Sequence, residues 1–442
     1  MLSSQFAPSP PRLNECVSCG RPLPLRIAGA GEAGREWECV GCGAVYFAVI
    51  AEQSALDVRR NVRLLEPPAV SGRAGPRTFA ALIPAASAPR PVQSPPVRSA
   101  LLCAAESPFT RDLDAYLETG GGLELPSRGL PLVRQVARHG AVPFSRRLAI
   151  EFAAQTDRCA DRLSGFFDCL RAGRGSDLGV AEGICRDVLA QAIVDIDLFV
   201  SLGINPAADG YPNRHSLSSA MLALAMGVTL GYDRPALTSL ALGCLLHDLG
   251  MLGIDPAVYW HDRIASLEEH LAIAKHPVAV FDLLQHHWDR IPAAARMVAY
   301  QIHERCDGSG YPRARAAGQI AELSRVAAVA DAFVAMVSPR PYRPPMLPYY
   351  AMETVLKLSQ RGRFGHRYVR ALLETVSLFP LGSFVVLSDH RLGKVIRSNG
   401  PAYDRPVIEI VGASPSQGQP PIVDLSQATG LKVVRAIAGP AG

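Results

Sequence analysis

The stretch Leu245-Leu246-His247-Asp248-Leu249-Gly250 decides how this chain is read. An apolar helical run closes on an adjacent imidazole and carboxylate. Burying such a pair is expensive unless something binds it. Working outward, His215 opens a helix on the N-terminal side. On the other side His276-Pro277 begins a helix over Val278 to Leu284. His303-Glu304 ends another, just before Asp307-Gly308-Ser309-Gly310-Tyr311-Pro312, and Asp331 lies inside a helix from Arg325 to Met336. Neutral imidazoles with carboxylates are the ligand set for Fe, Mn or Zn, and an aspartate can bridge two ions through its two oxygens. Two cations about 3.5–4 Å apart would clamp a phosphate and generate hydroxide for in-line attack. A lone His on an apolar helix is more often a satisfied core residue. His139, His261, His270, His286, His287, His366 and His390 are read that way.

The rest of the composition bounds the answer. With 442 residues the chain has room for two to four units. Hydrophobic residues make up 48% and charged ones 19%, enough apolar material for a real core. Net charge is +5, and no Lys/Arg run exceeds two residues, so neither DNA, RNA nor an anionic membrane is an expected partner. The start, Met-Leu-Ser-Ser-Gln-Phe, lacks a basic segment followed by an apolar one, so no signal peptide is expected. Leu217 to Tyr232 is too short and too polar to span a bilayer and reads as a core helix. Ten cysteines are too sparse for a disulfide scaffold and suit a reducing compartment, so the expected location is cytoplasmic.

Cys16-Val-Ser-Cys19-Gly and Cys39-Val-Gly-Cys42-Gly are two C-x2-C knuckles. Four thiolates close a tetrahedral shell around zinc, and the glycine after each second Cys permits the tight turn. A structural zinc ribbon over 12–50 is expected. Residues 51–65 suit a short helix whose arginines are a solvated face, and Pro, Ala, Ser and Arg make 66–99 a linker. Apolar spacing is helical through 100–200 and again through 201–378. From 379 to 438, short β-rich runs alternate with Gly, Asn, Asp and Pro turns, as in a small antiparallel barrel or meander. The expected fold is mainly α, a helical bundle between an N-terminal zinc ribbon and a small C-terminal β unit.

Taken in order, the motifs of 205–378 resemble the HD-GYP branch of the HD superfamily, which hydrolyses cyclic di-GMP. The residues that carry the likeness are His215-Ser216, Leu246-His247-Asp248-Leu249-Gly250, His276-Pro277, His303-Glu304 with Asp307-Gly308-Ser309-Gly310-Tyr311-Pro312, Ala330-Asp331-Ala332-Phe333 and Arg340-Pro341-Tyr342-Arg343. The resemblance implies an all-helical HD domain over 201–378 that holds one or two Fe or Mn ions. It implies one metal on His215, His247, Asp248 and Asp331, and a second on Asp248 as bridge, His276 and His303. Catalytic roles would fall to His247, Asp248 and His303. Gly310, Tyr311 and Pro312 would shape the substrate site and touch diguanylate cyclase domains. Arg340 and Arg343 would either reach the phosphates or brace that loop.

Four positions depart from the family pattern. Ile302 replaces the first His of a His-His-Glu triplet, and Met251 replaces a Lys. Val334 replaces a second Asp, and Tyr211 stands where members with a third metal have Glu. The last argues for no third metal. Loss of a ligand at 302 weakens the second site unless a neighbour such as Glu304 substitutes. The expected function is therefore a phosphodiesterase opening cyclic di-GMP to pGpG and GMP. The alternative is a degenerate module that binds a ligand or partner without turnover. The zinc ribbon and the 100–200 helices are expected to serve input or assembly, homodimerisation included.

Overall fold

A computed structural model describes the backbone of three strands within 25–48. It also describes residues 107–437, apart from 122, 124–128, 138, 141, 205–210, 260–265, 340–344 and 413–420. The chain divides into two compact units, one holding Met1–Pro84 and the other Arg98–Gly442. In the first, β1 (Leu25–Gly31), β2 (Gly34–Cys39) and β3 (Val45–Ala48) form an antiparallel sheet in the order β1-β2-β3. The side chains of Cys16, Cys19, Cys39 and Cys42 lie outside the described residues, as do the expected helix at 51–65 and the linker at 66–99.

The second unit has thirteen α-helices among its described residues. They are α1 (Pro108–Glu118), α2 (Arg146–Arg171), α3 (Gly179–Val194), α4 (Ile196–Gly203), α5 (Asn213–Thr229), α6 (Arg234–Leu246) and α7 (Pro256–Tyr259). There follow α8 (Leu267–Ile273), α9 (His276–Leu283), α10 (Ala293–Gln301), α11 (Glu322–Val337), α12 (Pro348–Gln360) and α13 (His366–Val376). The centre of the bundle is α5, buried at every residue from His215 to Val228. A helix apolar on all sides is stable only when surrounded. Helices α2, α4, α6, α11 and α13 pack around it. Caps fix where several begin: Ser145 Oγ accepts from Leu148 N–H, Asp195 Oδ1 from Leu198 N–H and Asp233 Oδ1 from Ala236 N–H.

The boundary expected near residue 200 does not divide the packing. Helix α2 puts Phe152, Cys159, Leu163, Phe166 and Phe167 on one buried stripe, and it packs on α3, α4 and α5. Phe167, Leu163 and Phe199 have no exposed surface. Each such side chain contributes about 1.5–3 kcal/mol by burial. Helices before and after residue 200 thus share one core. Among the described residues one stretch, Arg234–Gly253, is long and apolar enough to cross a membrane by length and composition. Its apolar window is 78% buried in the fold, as for a core helix.

After α13 the chain forms β4 (Phe384–Leu387), β5 (Leu392–Arg397), β6 (Val407–Ile410), β7 (Ile422–Asp424) and β8 (Val433–Ile437). The order β7-β6-β5-β4-β8 is antiparallel throughout, so β4 to β7 form a meander and β8 returns to pair with β4. Of the two expected forms, barrel and meander, this open sheet is the meander. A buried ion pair joins it to the helices: Arg397 of β5 binds both carboxylate oxygens of Asp195, the cap of α4.

Candidate metal centre

The six ligand candidates come from five elements that meet at one end of α5. His215 lies in the first turn of α5. His247 and Asp248 open a 3-10 turn, His247–Gly253, directly after α6. His276 is the first residue of α9, His303 follows α10, and Asp331 lies within α11. All six are buried. Gly250 makes the approach of α9 possible, since a Cβ there would lie 2.0 Å from the carbonyl oxygen of His276. Only glycine permits that contact.

Ligand atoms within 4.8 Å of one another form two groups, His215/His247/Asp248 and Asp248/His276/His303. They share Asp248, the residue expected to bridge. Its Oδ1 lies 3.3 Å from His247 Nε2, 3.4 Å from His276 Nε2 and 4.0 Å from His303 Nε2. Asp331 spans both groups, with Oδ1 at 2.9 Å from His215 Nε2 and Oδ2 at 3.4 Å from His303 Nδ1.

Hydrogen bonding behind the rings fixes which nitrogen faces inward. His247 Nδ1 lies 2.7 Å from the Cys244 carbonyl oxygen, and His276 Nδ1 lies 2.7 Å from that of Ile273. A carbonyl only accepts, so each Nδ1 carries a proton and each Nε2 faces Asp248. His303 Nδ1 lies 3.4 Å from Asp331 Oδ2, and the His276 and His303 Nε2 atoms meet at 3.1 Å, close enough to hydrogen-bond when one of them is protonated. A cation would replace that proton between the two rings. His247 Nε2, His215 Nδ1 and Asp248 Oδ2 are buried and have no hydrogen-bond partner. Such orphan atoms are costly in a dry interior, and an ion accepting Nε2 and Oδ2 removes that cost. The donor set therefore fits Fe, Mn or Zn.

The electrostatics agree with a cation site. Burial, with His303 alongside, pushes His276 down to about 3, so its imidazole is neutral. Burial lowers His303 as well. Burial also pulls on His247, but Asp248 and Asp331 outweigh it and raise that ring to about 9. Burial opposes ionisation of Asp331, yet His303, His215 and His247 hold it well below the usual carboxylate range, and the histidines lower Asp248 similarly. With no ion bound, the raised His247 ring carries a second proton on Nε2 at neutral pH; a divalent ion would displace that proton and take its place beside Asp248 and Asp331.

The loop 305–317 walls one side. Tyr311 stacks on His303, with ring centroids 4.9 Å apart and planes 24° apart, and its N–H donates to the His303 carbonyl at 3.2 Å. Gly310 is pressed against the same backbone: a Cβ there would lie 2.4 Å from His303 O and Arg305 N. Gly310, Tyr311 and Pro312 thus lie beside the centre.

Glu304 does not take the ligand place left by Ile302. Its Oε1 accepts from Arg313 N–H at 2.8 Å and its Oε2 from Arg315 N–H at 2.9 Å, so both oxygens face the loop backbone. Burial raises its carboxyl to about 7 although those two bonds favour the charged form. Ile302 and Met251 are themselves buried. Arg340 and Arg343 lie outside the described residues.

None of the described histidines read as core residues is buried: His139 and His287 are half-buried, pairing with Asp197 at 2.6 Å and with Ser176, while His270, His286, His366 and His390 are exposed, His366 bonding Ser359. His270 instead meets Tyr311 edge-on at 6.1 Å. Tyr211 and Tyr259 face each other at 5.5 Å, with Tyr211 5.9 Å from His215. Sequence reasoning missed the aromatic neighbours Tyr259 and His270, which lie on short helices with no periodic signal.

Residues 203–367 match a family model described as an HD domain. The chain is 27% identical over 326 residues to a cyclic di-GMP phosphodiesterase of Pseudomonas aeruginosa, covering 71% of this chain and 78% of that one. It is 32% identical over 133 residues to the cyclic di-GMP phosphodiesterase of Thermotoga maritima, covering 30% and 36%. It is 33% identical over 147 residues to the cyclic di-GMP phosphodiesterase response regulator RpfG of Xanthomonas campestris, covering 33% and 38%. The chain thus spans little more than a third of the last two.

Proposed function

We propose that this chain, whose residues 203–367 match an HD-domain model, is of the HD-GYP kind and that its His/Asp centre is a metal-dependent phosphodiesterase opening cyclic di-GMP to pGpG and GMP. The observation that supports this most is the pair of ligand groups sharing Asp248. His215, His247, Asp248 and Asp331 would hold one ion, and Asp248, His276 and His303 the other. Bound there, divalent ions would supply Lewis acidity toward a phosphoryl oxygen and the attacking water.

The chain's own residues do the rest. Asp331 orients a histidine of each group through its two oxygens, and the Cys244 and Ile273 carbonyls hold His247 and His276 in the ligating tautomer. Tyr311, stacked on His303, limits where that ring can turn and closes one wall against water. Ile302 leaves the second metal one ligand short and Met251 leaves the substrate phosphates without an ammonium from that position, so the remaining six residues carry the reaction. The same proposal takes in a zinc ion on Cys16, Cys19, Cys39 and Cys42, phosphate contact or loop bracing by Arg340 and Arg343, and a cytoplasmic homodimer. It also takes in diguanylate cyclase domains meeting the Gly310-Tyr311-Pro312 loop.

The test is to load the purified protein anaerobically with Fe²⁺ or Mn²⁺, add cyclic di-GMP, and separate pGpG and GMP chromatographically. Product that disappears in His247→Ala is the expected result. No product from wild-type protein of confirmed metal content would overturn the reading.

A further inference from the structure

Helix α1, the first described element of the second unit, is tied by charge to the loop beside the metal centre. Asp114 of α1 accepts from Arg313 Nε at 3.1 Å and from Arg315 Nη2 at 2.5 Å. It also accepts from the Tyr300 hydroxyl of α10 at 2.9 and 3.2 Å, and Arg313 Nε lies 2.8 Å from that hydroxyl. The backbone of the same two arginines turns the opposite way, each N–H donating to Glu304. Between them Ala314 has φ +54°, a left-handed conformation that alanine adopts at a cost. The segment is thus gripped twice, by Glu304 through its main chain and by Asp114 through its side chains.

The Asp114 side chain is 22% exposed and each arginine's 12%. At that depth the bonds are charge-assisted and poorly screened. Asp114 is the carboxylate that ion-pairs with both guanidinium groups among the described residues. Without it two cations on alternate residues would stand close together with little water, and their repulsion would push the loop off Glu304. The other end of α1 is seated too: Ser107 Oγ donates to Asp282 Oδ1 at 3.0 Å, and the Phe109 ring lies 4.8 Å from Trp288.

We propose that Asp114 is a positioning residue for the phosphodiesterase site: through Arg313 and Arg315 it fixes the loop that carries Tyr311, so that the seat of α1 sets substrate affinity. The affinity part rests on the proposed activity; the brace itself does not. Whatever displaces α1, including a signal arriving through the residues before it, then reaches the wall of the site without touching a metal ligand.

The experiment uses the full-length, metal-loaded protein with Asp114→Asn and Asp114→Glu. Amide hydrogen exchange is followed in peptides covering 308–317, together with kcat, KM for cyclic di-GMP and metal content. In Asp114→Asn, loop exchange and KM should each rise about tenfold, the scale of a lost charge-assisted bond, with kcat and metal content little changed. Asp114→Glu should restore most of both. Unchanged loop exchange overturns the brace, and so does exchange that rises throughout the protein. A fall in kcat and metal content at constant KM overturns the positioning role. If wild-type protein has no turnover, the proposed activity fails, while loop exchange still decides whether Asp114 holds the loop.

Discussion

Two buried clusters in this protein are built from the same side chains and do opposite things. At the metal centre, Asp248 and Asp331 face four histidines, and His247 Nε2, His215 Nδ1 and Asp248 Oδ2 are left without hydrogen-bond partners. Where α4 meets the sheet, Asp195 and Asp197 face His139 and Arg397, and all four carboxylate oxygens are used. Asp195 receives Arg397 and Leu198 N–H, while Asp197 receives His139, Gly140 N–H and Ser398 N–H. The second cluster keeps every carboxylate oxygen engaged, although Arg397 Nε is left without a partner, whereas the first leaves a carboxylate oxygen and two ring nitrogens open to a cation. Unsatisfied ligand atoms that converge, rather than residue type or burial, separate a binding site from a structural joint.

Breaking each cluster should therefore give different phenotypes. The largest effect is expected from Asp248→Ala. Turnover of cyclic di-GMP should fall by at least about 10³-fold with loss of bound metal, because the Lewis acid supplies several kcal/mol. An active, metal-free Asp248→Ala protein would contradict the assignment. Next comes Arg397→Met, which leaves Asp195 buried and unpaired. Urea unfolding should show a loss of about 3–5 kcal/mol, while kcat per folded molecule stays at the wild-type value. A change in kcat there would mean the two clusters are not independent.

Metal linkage sharpens the contrast. Mn²⁺ at about 100 times its dissociation constant should raise the unfolding free energy of wild-type protein by about 2.7 kcal/mol. The same rise should appear in Arg397→Met and be absent in Asp248→Ala; equal stabilisation of all three would place the ion elsewhere. The smallest effect is expected at Ala314, where φ is +54°. Ala314→Gly should raise the melting temperature slightly, since relief of about 1–2 kcal/mol of left-handed strain outweighs the extra freedom of glycine in the unfolded chain. A lowered melting temperature would show that the methyl group packs better than its strain costs.

Much of this was legible in the sequence for a physical reason. Ligands that must converge on one ion are confined to few places: His215, His247-Asp248, His276 and His303 sit at or next to helix ends, and Asp331 lies on the buried face of α11. The mostly apolar Leu217 to Tyr232 predicted a core helix, and α5 is one. Short β-rich runs after Pro380 predicted strands, though not whether the sheet closes. Contacts without a periodic signature were not legible. Asp114 is 199 and 201 residues from its arginine partners, and nothing in the local pattern marks it. Glu304 looked like a spare ligand because it neighbours His303, yet a helix end reverses direction within a residue and aims it at the loop. The division at residue 200 followed a break in helical periodicity, yet the described helices on either side of it share one core.

That shared core has a consequence for how such a protein could be inherited. The matched stretch begins at residue 203, after α2, α3 and α4 have already contributed Leu163, Phe167, Ile184 and Phe199 to the interior. A gene fusion that joined a foreign sensor at 203 would leave α5 and α6 bare on those faces. The segment that keeps this core intact starts ahead of α1, so a sensor joined on the N-terminal side preserves it only if the joint falls before Ser107.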